Sequence, residues 1–456
     1  MTLGRAFFYH AKEETGYRMT KFSAPRGTQD ILPTDSYKWL WAESIFREIC
    51  RLFGYSEIRT PTFEDTELFN RSIGEATDIV SKEMYTFTDR GGRSITLRPE
   101  GTAPAIRAYV EHNLGAKSPV TKLYYITSIF RYERPQAGRF REHHQFGIEC
   151  VGSDDPAVDA EVISLGREIL GRVGLVNWTL RIGSVGCKKC RANHRAALRE
   201  SLKPVLSQLC GNCQRRYDLN PLRILDCKED QCKRLTENAP SVLDYLDDEC
   251  KTHFDLVRGY LGKLGIPYTV DRRLVRGLDY YTRTAFEFVG SQLGAQSQII
   301  GGGRYDDLVE ELGGHPTPAI GFGMGIERLL MSIEAEGIKT PSPPAPAIFV
   351  AVMGDDAKST GVNLLYRLRS NDVPAEMDYS SKSLKAQMKL ADKLGVKYTL
   401  ILGEDELRES SATIRNMQTK EQKRVPISDV VEKLSEEYKK LSKEELCSKE
   451  RFGAVK

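Results

Sequence analysis

The sequence has no apolar run of the roughly 18–20 residues that a membrane-spanning helix needs. Its N-terminal segment carries only a four-residue apolar stretch, at 6–9, together with the acidic residues Glu13 and Glu14. Secretory signals have a longer apolar region, and organellar transit peptides contain few acidic residues. We therefore predict a cytoplasmic protein without a membrane partner. Residues 1–18, which precede Met19, are predicted to be a disordered N-terminal extension.

The sequence also lacks a strong excess of charge, because 66 Lys and Arg residues nearly balance 63 Asp and Glu residues, for a net charge of +3. A protein whose overall field attracts nucleic acid is usually strongly basic. Any contact with RNA must therefore come from local clusters of Lys and Arg. The length of 456 residues exceeds what one hydrophobic core supports, so we expect two or three domains.

Cysteines are scarce outside one segment, since six of the ten fall within residues 187–232. Without a secretory signal, such a group is typical of reduced thiols or a metal site and not of disulfides. Two Cys-x2-Cys pairs, separated by nineteen residues, have the spacing of a tetrahedral zinc site and predict a structural Zn²⁺ held by Cys187, Cys190, Cys210 and Cys213. Cys227 and Cys232 are rival ligands, and six unligated thiols are the alternative. Zinc would stabilise an insertion that has little core of its own.

Apolar periodicity predicts elements of both kinds in the first three quarters of the chain. Helices are predicted at 36–54, 159–172 and 325–335, and strands at 55–60, 121–132, 145–151, 285–289 and 298–300. A glycine-rich loop is expected after the last of these strands. The segment 187–254 is predicted to be a helical, highly charged insertion.

Four prolines within 338–346 indicate a linker, and the pattern changes after it. Buried-type strands at 347–352 and 398–402 alternate with helices at 361–370 and 382–394, which predicts a small α/β domain with a largely parallel sheet. The predicted domains are an extension (1–18), a main domain (19–186 and 255–337), the cysteine-rich insertion (187–254), the linker (338–346), the α/β domain (347–435) and a charged tail (436–456).

The first of three arginine-centred segments covers residues 130–149. A strand, a basic loop and a returning strand would place Arg131, Gln145 and Glu149 on one sheet face. The Arg131 guanidinium can bind a phosphate through two hydrogen bonds, whereas Gln145 and Glu149 can accept from an ammonium or imidazole group. A surface hairpin with ordinary ion pairs is the alternative for this segment alone.

The second segment has alternate glycines, Gly321, Gly323 and Gly325, followed by Arg328. Missing side chains let a flat ring lie against the backbone, and an arginine at the start of a helix can stack on that ring or contact a phosphate. The segment has neither the distal acidic residue of a dinucleotide-binding fold nor the Lys-Ser/Thr end of a phosphate-binding loop. A plain turn is the alternative.

The third segment combines Arg276 with Tyr280 and Tyr281, and residues 301–306 add three glycines and Tyr305. The glycines would let the backbone approach a ligand closely, while the tyrosines supply walls and hydroxyl groups. A pair of core tyrosines near a glycine turn is the alternative.

Together these segments resemble the class II aminoacyl-tRNA synthetases, and specifically the histidyl-tRNA synthetase family. Residues 55–64, 130–149 and 321–330 are similar to the three motifs of the class. Residues 276–281 and 302–306 are similar to two signatures peculiar to the histidine enzymes, and residues 98–102 resemble their amino-acid-gripping loop. The likeness covers about residues 22–427. It implies an α+β catalytic domain built on an antiparallel sheet, a helical insertion and a C-terminal α/β anticodon-binding domain.

The resemblance implies an ATP-dependent ligase that activates histidine as an adenylate and transfers it to tRNA(His). It implies catalytic roles for Arg131 and Arg276 at the α-phosphate and the histidine carboxylate. It implies ATP binding, with Mg²⁺ bridging the phosphates, by Arg131, Arg139, His143, Gly321, Gly323, Gly325 and Arg328. It implies histidine binding by Glu100, Gly101, Thr102, Gln145, Glu149, Tyr280, Tyr281, Gly303 and Tyr305. His143 stands where the family often has an aromatic ring over the adenine.

In the family, the first motif lies at a homodimer interface, the loop at 134–141 reaches the acceptor end of the tRNA, and the C-terminal domain contacts the anticodon. The resemblance thus implies tRNA contacts by Arg134 and Gln136. Lysines 382, 385, 389 and 393 recur at helical spacing and predict a basic helix face. We assign tRNA binding to Lys382, Lys385 and Lys389, with an ordinary solvated face as the alternative.

Two other functions are compatible with parts of this pattern. One is a non-catalytic histidine-sensing subunit of ATP phosphoribosyltransferase, but such proteins typically lack the C-terminal domain and have a degraded arginine signature. Here Arg131, Arg276 and Arg328 are all present, as is the α/β domain. The other is a synthetase for a different amino acid, against which the two histidine signatures stand.

Overall fold

The computed structural model describes residues 22–74, 77–136, 138–291, 297–341, 343, 345–380 and 382–452, with side chains described up to residue 441. The extension predicted at 1–18 lies outside these residues. The chain forms two compact units, residues 1–341 and 342–456, and their boundary lies within the proline-containing segment 338–346. Among the helices in the described part, none has the length and apolar character that a membrane crossing requires.

The first unit contains strands of very different length. Its strands are β1 (Ser56–Glu57), β2 (Phe63–Asp65), β3 (Tyr85–Thr88), β4 (Ser94–Leu97), β5 (Thr121–Phe130), β6 (Glu142–Val151), β7 (Trp178–Ser184), β8 (Thr269–Val270), β9 (Thr282–Gly290), β10 (Gln298–Arg304) and β11 (Ala319–Gly325). Its helices are α1 (Pro33–Leu52), α2 (Thr66–Ile73), α3 (Thr102–Glu111), α4 (Pro156–Arg172), α5 (Lys188–Leu202), α6 (Gly211–Leu219), α7 (Asp230–Leu235), α8 (Asp248–Lys263), α9 (Leu308–Glu311) and α10 (Ile326–Ala335).

An eight-stranded sheet in the order β1-β5-β6-β11-β10-β9-β7-β8 forms the centre of this unit. Neighbouring strands are antiparallel except at the two edges, where β1 and β8 pair in parallel. Helices α1, α4 and α8 bury their apolar residues against one face, and the rings of Phe46 and Phe146 stack there with their centres 4.4 Å apart. The predicted α+β fold built on an antiparallel sheet is confirmed.

The three glycines at 301–303 are part of a strand, so the loop predicted for them is wrong. Strand β10 pairs with β9 on one side and with β11 on the other, and all three glycines have register partners on both. Pairing with a strand on each side therefore overrides the low strand propensity of glycine. Further along the chain, strand β11 ends at Gly325 and helix α10 begins at Ile326.

The insertion between β7 and α8 is helical, as predicted, and has a small apolar cluster of its own around Leu198, Leu202 and Ile224. Helix α8 begins in the insertion and continues past residue 254, where we placed the boundary. Its residues Phe254 and Val257 join the main core of the unit. The C-terminal end of the insertion is therefore anchored on the core of the eight-stranded sheet.

The second unit consists of β12 (Ile348–Val352), α11 (Asp355–Ser370), β13 (Ala375–Met377), α12 (Leu384–Leu394), β14 (Tyr398–Leu402), α13 (Glu404–Arg408), β15 (Ser411–Asn416), β16 (Gln422–Pro426) and α14 (Val430–Phe452). Its five strands are ordered β13-β12-β14-β15-β16. Strands β13, β12 and β14 pair in parallel, whereas β15 pairs in antiparallel fashion with both β14 and β16, with α13 lying between β14 and β15 in the chain. The α/β architecture is as predicted, but the largely parallel sheet is wrong.

Candidate active site

A cavity of about 470 Å³ opens over strands β6, β10 and β11. The guanidinium-bearing residues Arg131, Arg276 and Arg328, which are remote in the chain, all line it. The cavity is also lined by the predicted site residues Glu100, Thr102, Arg139, His143, Gln145, Tyr280, Tyr281, Tyr305, Gly321, Gly323 and Gly325. Residues from the three separate sequence segments therefore meet in one concave site.

Arg276 is held in the cavity by two side chains. One of its Nη atoms donates to the Glu287 carboxylate, and its guanidinium lies 5.3 Å from the centre of the Tyr281 ring. Burial opposes the charged form, but Tyr281 and Glu287 outweigh this effect and raise the pKa of Arg276. The residue is therefore a fixed cation, oriented before any ligand arrives.

Arg131 and Arg328 are oriented by backbone carbonyl groups. Arg131 Nε donates to the Pro99 carbonyl at 2.7 Å, and Arg328 Nε donates to the Gly138 carbonyl at 2.9 Å. Burial lowers the pKa of both arginines, and the charge of Arg131 lowers that of Arg328 further. Two positive groups kept this close favour a ligand that brings several negative charges.

His143 lies beside both of these arginines. Burial, together with the charges of Arg131 and Arg328, lowers its pKa to about 3. The imidazole is therefore neutral at physiological pH and presents an uncharged ring to the cavity. A neutral ring at this position suits stacking on a base better than a second cation would.

Arg139 lines the same cavity but already has acidic partners. Its Nη2 donates to Glu133 at 2.7 Å, its Nε contacts the same carboxylate, and Glu83 lies 3.8 Å away. A phosphate at this wall would have to share Arg139 with Glu133. Among the predicted ATP contacts, Arg139 is the one whose charge is most nearly balanced by the protein.

A fully buried carboxylate, Glu149, lies beneath the tyrosine wall. It accepts a hydrogen bond from the Tyr125 hydroxyl at 3.0 Å and another from the Tyr305 hydroxyl. Burial raises the pKa of Glu149 to about 8, although Tyr305 and Thr102 act in the opposite direction and Glu100 adds to the rise. The group is thus mostly protonated at neutral pH, which is unusual for a carboxyl and typical of a functional site.

Glu100 is buried at the edge of the same pocket. Its two oxygens accept from the backbone N–H groups of Thr102 at 2.8 Å and Ala103 at 2.6 Å, and the Tyr280 hydroxyl is 3.5 Å away. Burial raises the pKa of Glu100, although the hydrogen bonds from these backbone N–H groups act in the opposite direction. Its position at the start of helix α3 therefore serves to fix the loop as well as to line the pocket.

The alternate glycines of β11 make room for the polar side chains of β6. A Cβ atom on Gly321 would lie 2.0 Å from Glu149 Oε2, and one on Gly323 would lie 1.7 Å from Gln145 Nε2. These side chains therefore cross over the glycine backbone instead of being pushed aside. The glycines predicted to seat a ring also let Gln145 and Glu149 face the cavity region.

Some predicted residues are not on the cavity surface. Glu149 lies beneath it, whereas Gly101 is covered by the Tyr125 ring and Gly303 packs against Tyr281. Arg134 and Gln136 are exposed on the loop beyond β5, where the Gln136 and Arg139 backbones form a short bridge. In the second unit, Lys382, Lys385 and Lys389 are all exposed. Helix α12 begins at Leu384, because Ser383 has an extended backbone, so Lys382 precedes the helix. The prediction that one helix carries all of these lysines is therefore wrong.

Two residues that position predicted site residues were themselves not found from the sequence. Glu287, the partner of Arg276, is an isolated acid within the apolar run of β9, and that contrast was a usable signal. Tyr125, which donates to Glu149, lies among other apolar and aromatic residues of β5 and gave none. Asp226 and Lys228 of the insertion also line the cavity.

The four cysteines predicted to share one zinc ion belong to two separate clusters, so that ligand set is wrong. The base cluster contains Cys187, Cys190, Asp247 and Cys250, and the four-thiol cluster contains Cys210, Cys213, Cys227 and Cys232. Helix α5, 15 residues long, extends over about 22 Å between the two Cys-x2-Cys pairs. Within each cluster the ligand-type atoms lie within 4.8 Å of one another, so each could hold a metal ion.

Comparison with known proteins finds a matching family model for each unit. Residues 27–329 match the family described as Histidyl-tRNA synthetase, and residues 347–437 match the Anticodon binding domain. The chain is 54% identical over 407 residues to the histidine–tRNA ligase of Caldanaerobacter subterraneus subsp. tengcongensis, covering 89% of this chain and 98% of that protein. It is also 54% identical over 407 residues to the corresponding protein of Desulforamulus reducens, covering 89% and 97%.

Solved structures agree with the sequence relatives. Apo histidyl-tRNA synthetase from S. aureus is 41% identical, with a TM-score of 0.78 over 91% of this chain and 100% of that chain. The histidyl-tRNA synthetase structure from Nostoc sp. PCC 7120, at 22% identity and a TM-score of 0.64 over 92% of this chain and 100% of that chain, shares the fold. The resemblance predicted from the motifs is confirmed. The chain belongs to the histidyl-tRNA synthetase family.

Proposed function

We propose that this protein is a cytoplasmic histidine–tRNA ligase. In the first step, an oxygen of the histidine carboxylate attacks the α-phosphorus of ATP, the bond to the bridging oxygen breaks, and pyrophosphate leaves. In the second, the terminal ribose hydroxyl of tRNA(His) attacks the histidyl carbonyl carbon, loses its proton and releases AMP. Relatives at about 50% identity that carry this name support the assignment.

The observation that carries the proposal is the convergence of Arg131, Arg276 and Arg328 on one cavity next to buried acids and tyrosines. Negative charge accumulates where a carboxylate approaches a triphosphate, and fixed guanidinium groups stabilise it at no reorganisation cost during the reaction. Arg276 and Arg131 are proposed to act at the α-phosphate and carboxylate, and Arg328 at the distal phosphates. His143 is proposed to contact the adenine.

Mg²⁺ fits this site as a partner of ATP, where it neutralises phosphate charge. The cavity wall near Arg139 includes the carboxylate of Glu133, a hard oxygen ligand of the kind Mg²⁺ prefers. The three arginines would hold the remaining phosphate oxygens. The protein thus supplies mostly positive side chains and few metal ligands, as expected when the ion arrives with the nucleotide.

Selection of histidine is proposed to depend on the polar floor of the pocket. Glu149 with Tyr281 and Tyr305 would enclose the imidazole, and Glu100, Thr102 and Gln145 would hold the α-ammonium group. An apolar amino acid of similar size would leave these buried groups without partners, which penalises it strongly. The raised pKa of Glu149 means that its carboxyl can donate a proton to an imidazole nitrogen near neutral pH.

Binding of tRNA is proposed at two places. Arg134 and Gln136 lie on an exposed loop at the edge of the cavity and would contact the acceptor end. In the second unit, Lys382, Lys385 and Lys389 form an exposed basic row that would contact anticodon-stem phosphates. The match of residues 347–437 to the Anticodon binding domain supports the second contact.

A homodimer is proposed from the family and from a small apolar face. In the sheet β2-β4-β3, register places Phe63, Leu97 and Tyr85 side by side, with Ile95 and Phe87 in the next row of the same face. Phe63 and Phe87 are 55% and 48% exposed, although large apolar side chains on a sheet are usually covered. The face adjoins the first motif, and a second copy of the chain would bury it.

We also assign a structural zinc ion to the four-thiol cluster. Cys210 and Cys227 Sγ atoms are 3.9 Å apart, close to the roughly 3.8 Å that separates two sulfurs bound to one tetrahedral Zn²⁺. The cluster would fix the far end of an insertion that has little core. Elemental analysis of protein prepared with ample zinc tests this, because protein without zinc would contradict it.

Charging of tRNA tests the proposed activity. Purified protein with ATP and Mg²⁺ should attach labelled histidine to a tRNA(His) transcript and not to a transcript for another amino acid. Binding of histidine without any charging would instead indicate a regulatory, non-catalytic protein. Charging of a different amino acid would contradict the assignment of the pocket.

A further inference from the structure

The base cluster brings four metal-type donors together at the root of the insertion. Cys187 Sγ is 3.5 Å from Cys190 Sγ and 3.2 Å from Asp247 Oδ2. All four ligand-type atoms of the cluster, including Cys250 Sγ, lie within 4.8 Å of one another. Two sulfurs on one tetrahedral Zn²⁺ would be about 3.8 Å apart, and a sulfur and an oxygen somewhat closer, so these separations fit one shared ion.

Two long helices direct their N-termini at this cluster. Cys187 is the N-cap of α5 and Cys190 its third residue, while Asp247 is the N-cap of α8 and Cys250 its third residue. The same cap-and-third-residue pairing therefore occurs once as Cys-x2-Cys and once as Asp-x2-Cys. Helix N-termini favour anionic groups, so both pairs are placed where thiolates and a carboxylate are stabilised.

Asp247 uses only one oxygen for its helix. Oδ1 accepts from the Cys250 N–H at 2.9 Å, whereas Oδ2 points to Cys187 Sγ. One carboxylate oxygen is therefore directed into the cluster. The Asp247 N–H also donates to Cys190 Sγ at 3.2 Å, an N–H···S contact of the kind that orients metal-bound thiolates.

The backbone before the cluster is shaped for this approach. Gly186 has φ +65°, and a Cβ atom there would lie 2.5 Å from Cys190 Cβ. Any other residue would be strained by both the left-handed conformation and the contact. The turn lets Cys187 fold back over the first turn of α5, next to Cys190.

We propose that Cys187, Cys190, Asp247 and Cys250 form a second metal site, which binds a Zn²⁺-type divalent ion through three thiolates and one carboxylate oxygen. This site is distinct from the four-thiol cluster, and it does not depend on the ligase activity proposed above. It connects the residue that begins the insertion with the helix that ends it. Zinc there would close the insertion at its root, as the four-thiol cluster closes it at its far end.

The site also bears on the cavity through α5. Arg191, one residue after Cys190, donates to the backbone carbonyl groups of Tyr281 at 2.9 Å and Asp279 at 3.3 Å. These residues belong to the segment that carries Tyr280 and Tyr281 into the pocket. A metal ion at the base cluster therefore fixes the helix that supports one wall of the candidate active site.

The experiment counts metal ions in the full chain. Protein prepared with added Zn²⁺ and then desalted should retain two zinc equivalents per chain by elemental analysis. The double variant Cys187→Ser/Asp247→Asn should retain one, because Ser and Asn are favoured residues at the N-cap positions of α5 and α8 but no longer supply the thiolate and carboxylate. The variant Cys210→Ser/Cys227→Ser should lose the other. Asp155→Asn, which changes the N-cap of α4 in the same way, is the matched control and should retain two.

Cobalt binding makes the result independent of any loss of folding in the variants. The wild-type chain reconstituted with Co²⁺ should bind two equivalents, both with the visible bands of tetrahedral thiolate coordination. Wild-type protein that binds neither metal, or whose single equivalent is lost in Cys210→Ser/Cys227→Ser and kept in Cys187→Ser/Asp247→Asn, overturns the proposal. So does a Cys187→Ser/Asp247→Asn protein that keeps both zinc ions. A single wild-type ion that Cys187→Ser/Asp247→Asn loses and Cys210→Ser/Cys227→Ser keeps would contradict the zinc assignment made for the four-thiol cluster and support this one.

Discussion

A Cβ atom on Gly301 would lie 2.4 Å from Nη2 of Arg276. Gly301 is also the direct register partner of Glu287, whose carboxylate binds the same guanidinium. The guanidinium, together with the Gln298 amide nitrogen 2.0 Å from the same position, therefore occupies the space that a side chain at Gly301 would fill. Glu287 on the neighbouring strand pairs with the charge of the guanidinium. This relationship links Gly301, which directly precedes the signature at 302–306, to Arg276 of the signature at 276–281.

We expect Gly301→Ala to displace Arg276 and to lower the rate of adenylate formation by at least about tenfold, which corresponds to roughly 1.4 kcal/mol of transition-state stabilisation. The measurement is histidine-dependent ATP–pyrophosphate exchange. Gly171→Ala, in α4, is the matched control because no neighbouring atom lies within 4 Å of its Cβ position. The control should keep full activity and gain roughly 0.5–1 kcal/mol of stability. Equal activity in the two variants would show that Arg276 is not displaced or is not needed.

Arg276→His should lower adenylate formation by orders of magnitude while the fold is kept, because imidazole cannot reproduce the fixed charge beside Glu287. Circular dichroism and thermal unfolding check the fold, and single-turnover kinetics measure the chemistry. Arg258→His, on the surface of α8, should react at the normal rate. Wild-type turnover in the Arg276 variant would rule out the proposed catalytic role.

Glu149 should make the stability of the ligand-free protein fall as pH rises. Its folded-state pKa is about 8 against an ordinary value of 4.5, so the folded state binds the proton more tightly than the unfolded state. The resulting stabilisation is complete below pH 4.5 and is lost as pH rises through about 8. Each unit by which the two pKa values differ is worth about 1.4 kcal/mol.

Urea unfolding between pH 5 and 9 should therefore show a smaller decline for Glu149→Gln than for the wild type, by about 1 kcal/mol or more. Glu67→Gln, which alters an exposed carboxylate on α2, should follow the wild type. Parallel pH profiles for the wild type and Glu149→Gln would mean that Glu149 titrates normally in the folded protein.

Charge reversal of Lys382, Lys385 and Lys389 should weaken binding of tRNA(His) by about tenfold and leave histidine-dependent pyrophosphate exchange unchanged. If each lysine neutralises a phosphate, the slope of log affinity against log salt should also decrease by roughly two to three. Charge reversal of Lys420, Lys433 and Lys439 in the same unit is the control, because it changes the net charge by the same amount. If both triple variants bind tRNA equally well, the basic row is only a solvated surface.

Local sequence patterns were sufficient for the arginines but not for the cysteines. Arg131, Arg276 and Arg328 each follow recognisable neighbours, and the family resemblance fixed their joint meaning before the cavity was known. Spacing alone gave Cys187 and Cys210 the same ion, because it contains no information on the direction of the helix between them. Asp247 was not predicted as a ligand, because it lies far along the chain from Cys187 and Cys190 and is not part of a Cys-x2-Cys pair.

The glycines at 301–303 were misassigned for a related reason. Glycine has a low strand propensity, and only the neighbouring strands β9 and β11 make a strand favourable there. Tyr125 was missed because its hydroxyl reaches Glu149 only because its register partner on β6 is Gly147, which has no side chain to block the ring. Tertiary pairing, and not local preference, determines each of these positions.

The central claim is that three distant guanidinium groups act on one triphosphate beside a pocket for imidazole. ATP–pyrophosphate exchange with each of the twenty amino acids tests it most directly. We expect rapid exchange with histidine and only background exchange with the other nineteen amino acids. Exchange driven by a different amino acid, or no exchange with histidine in the folded wild-type protein, would contradict it.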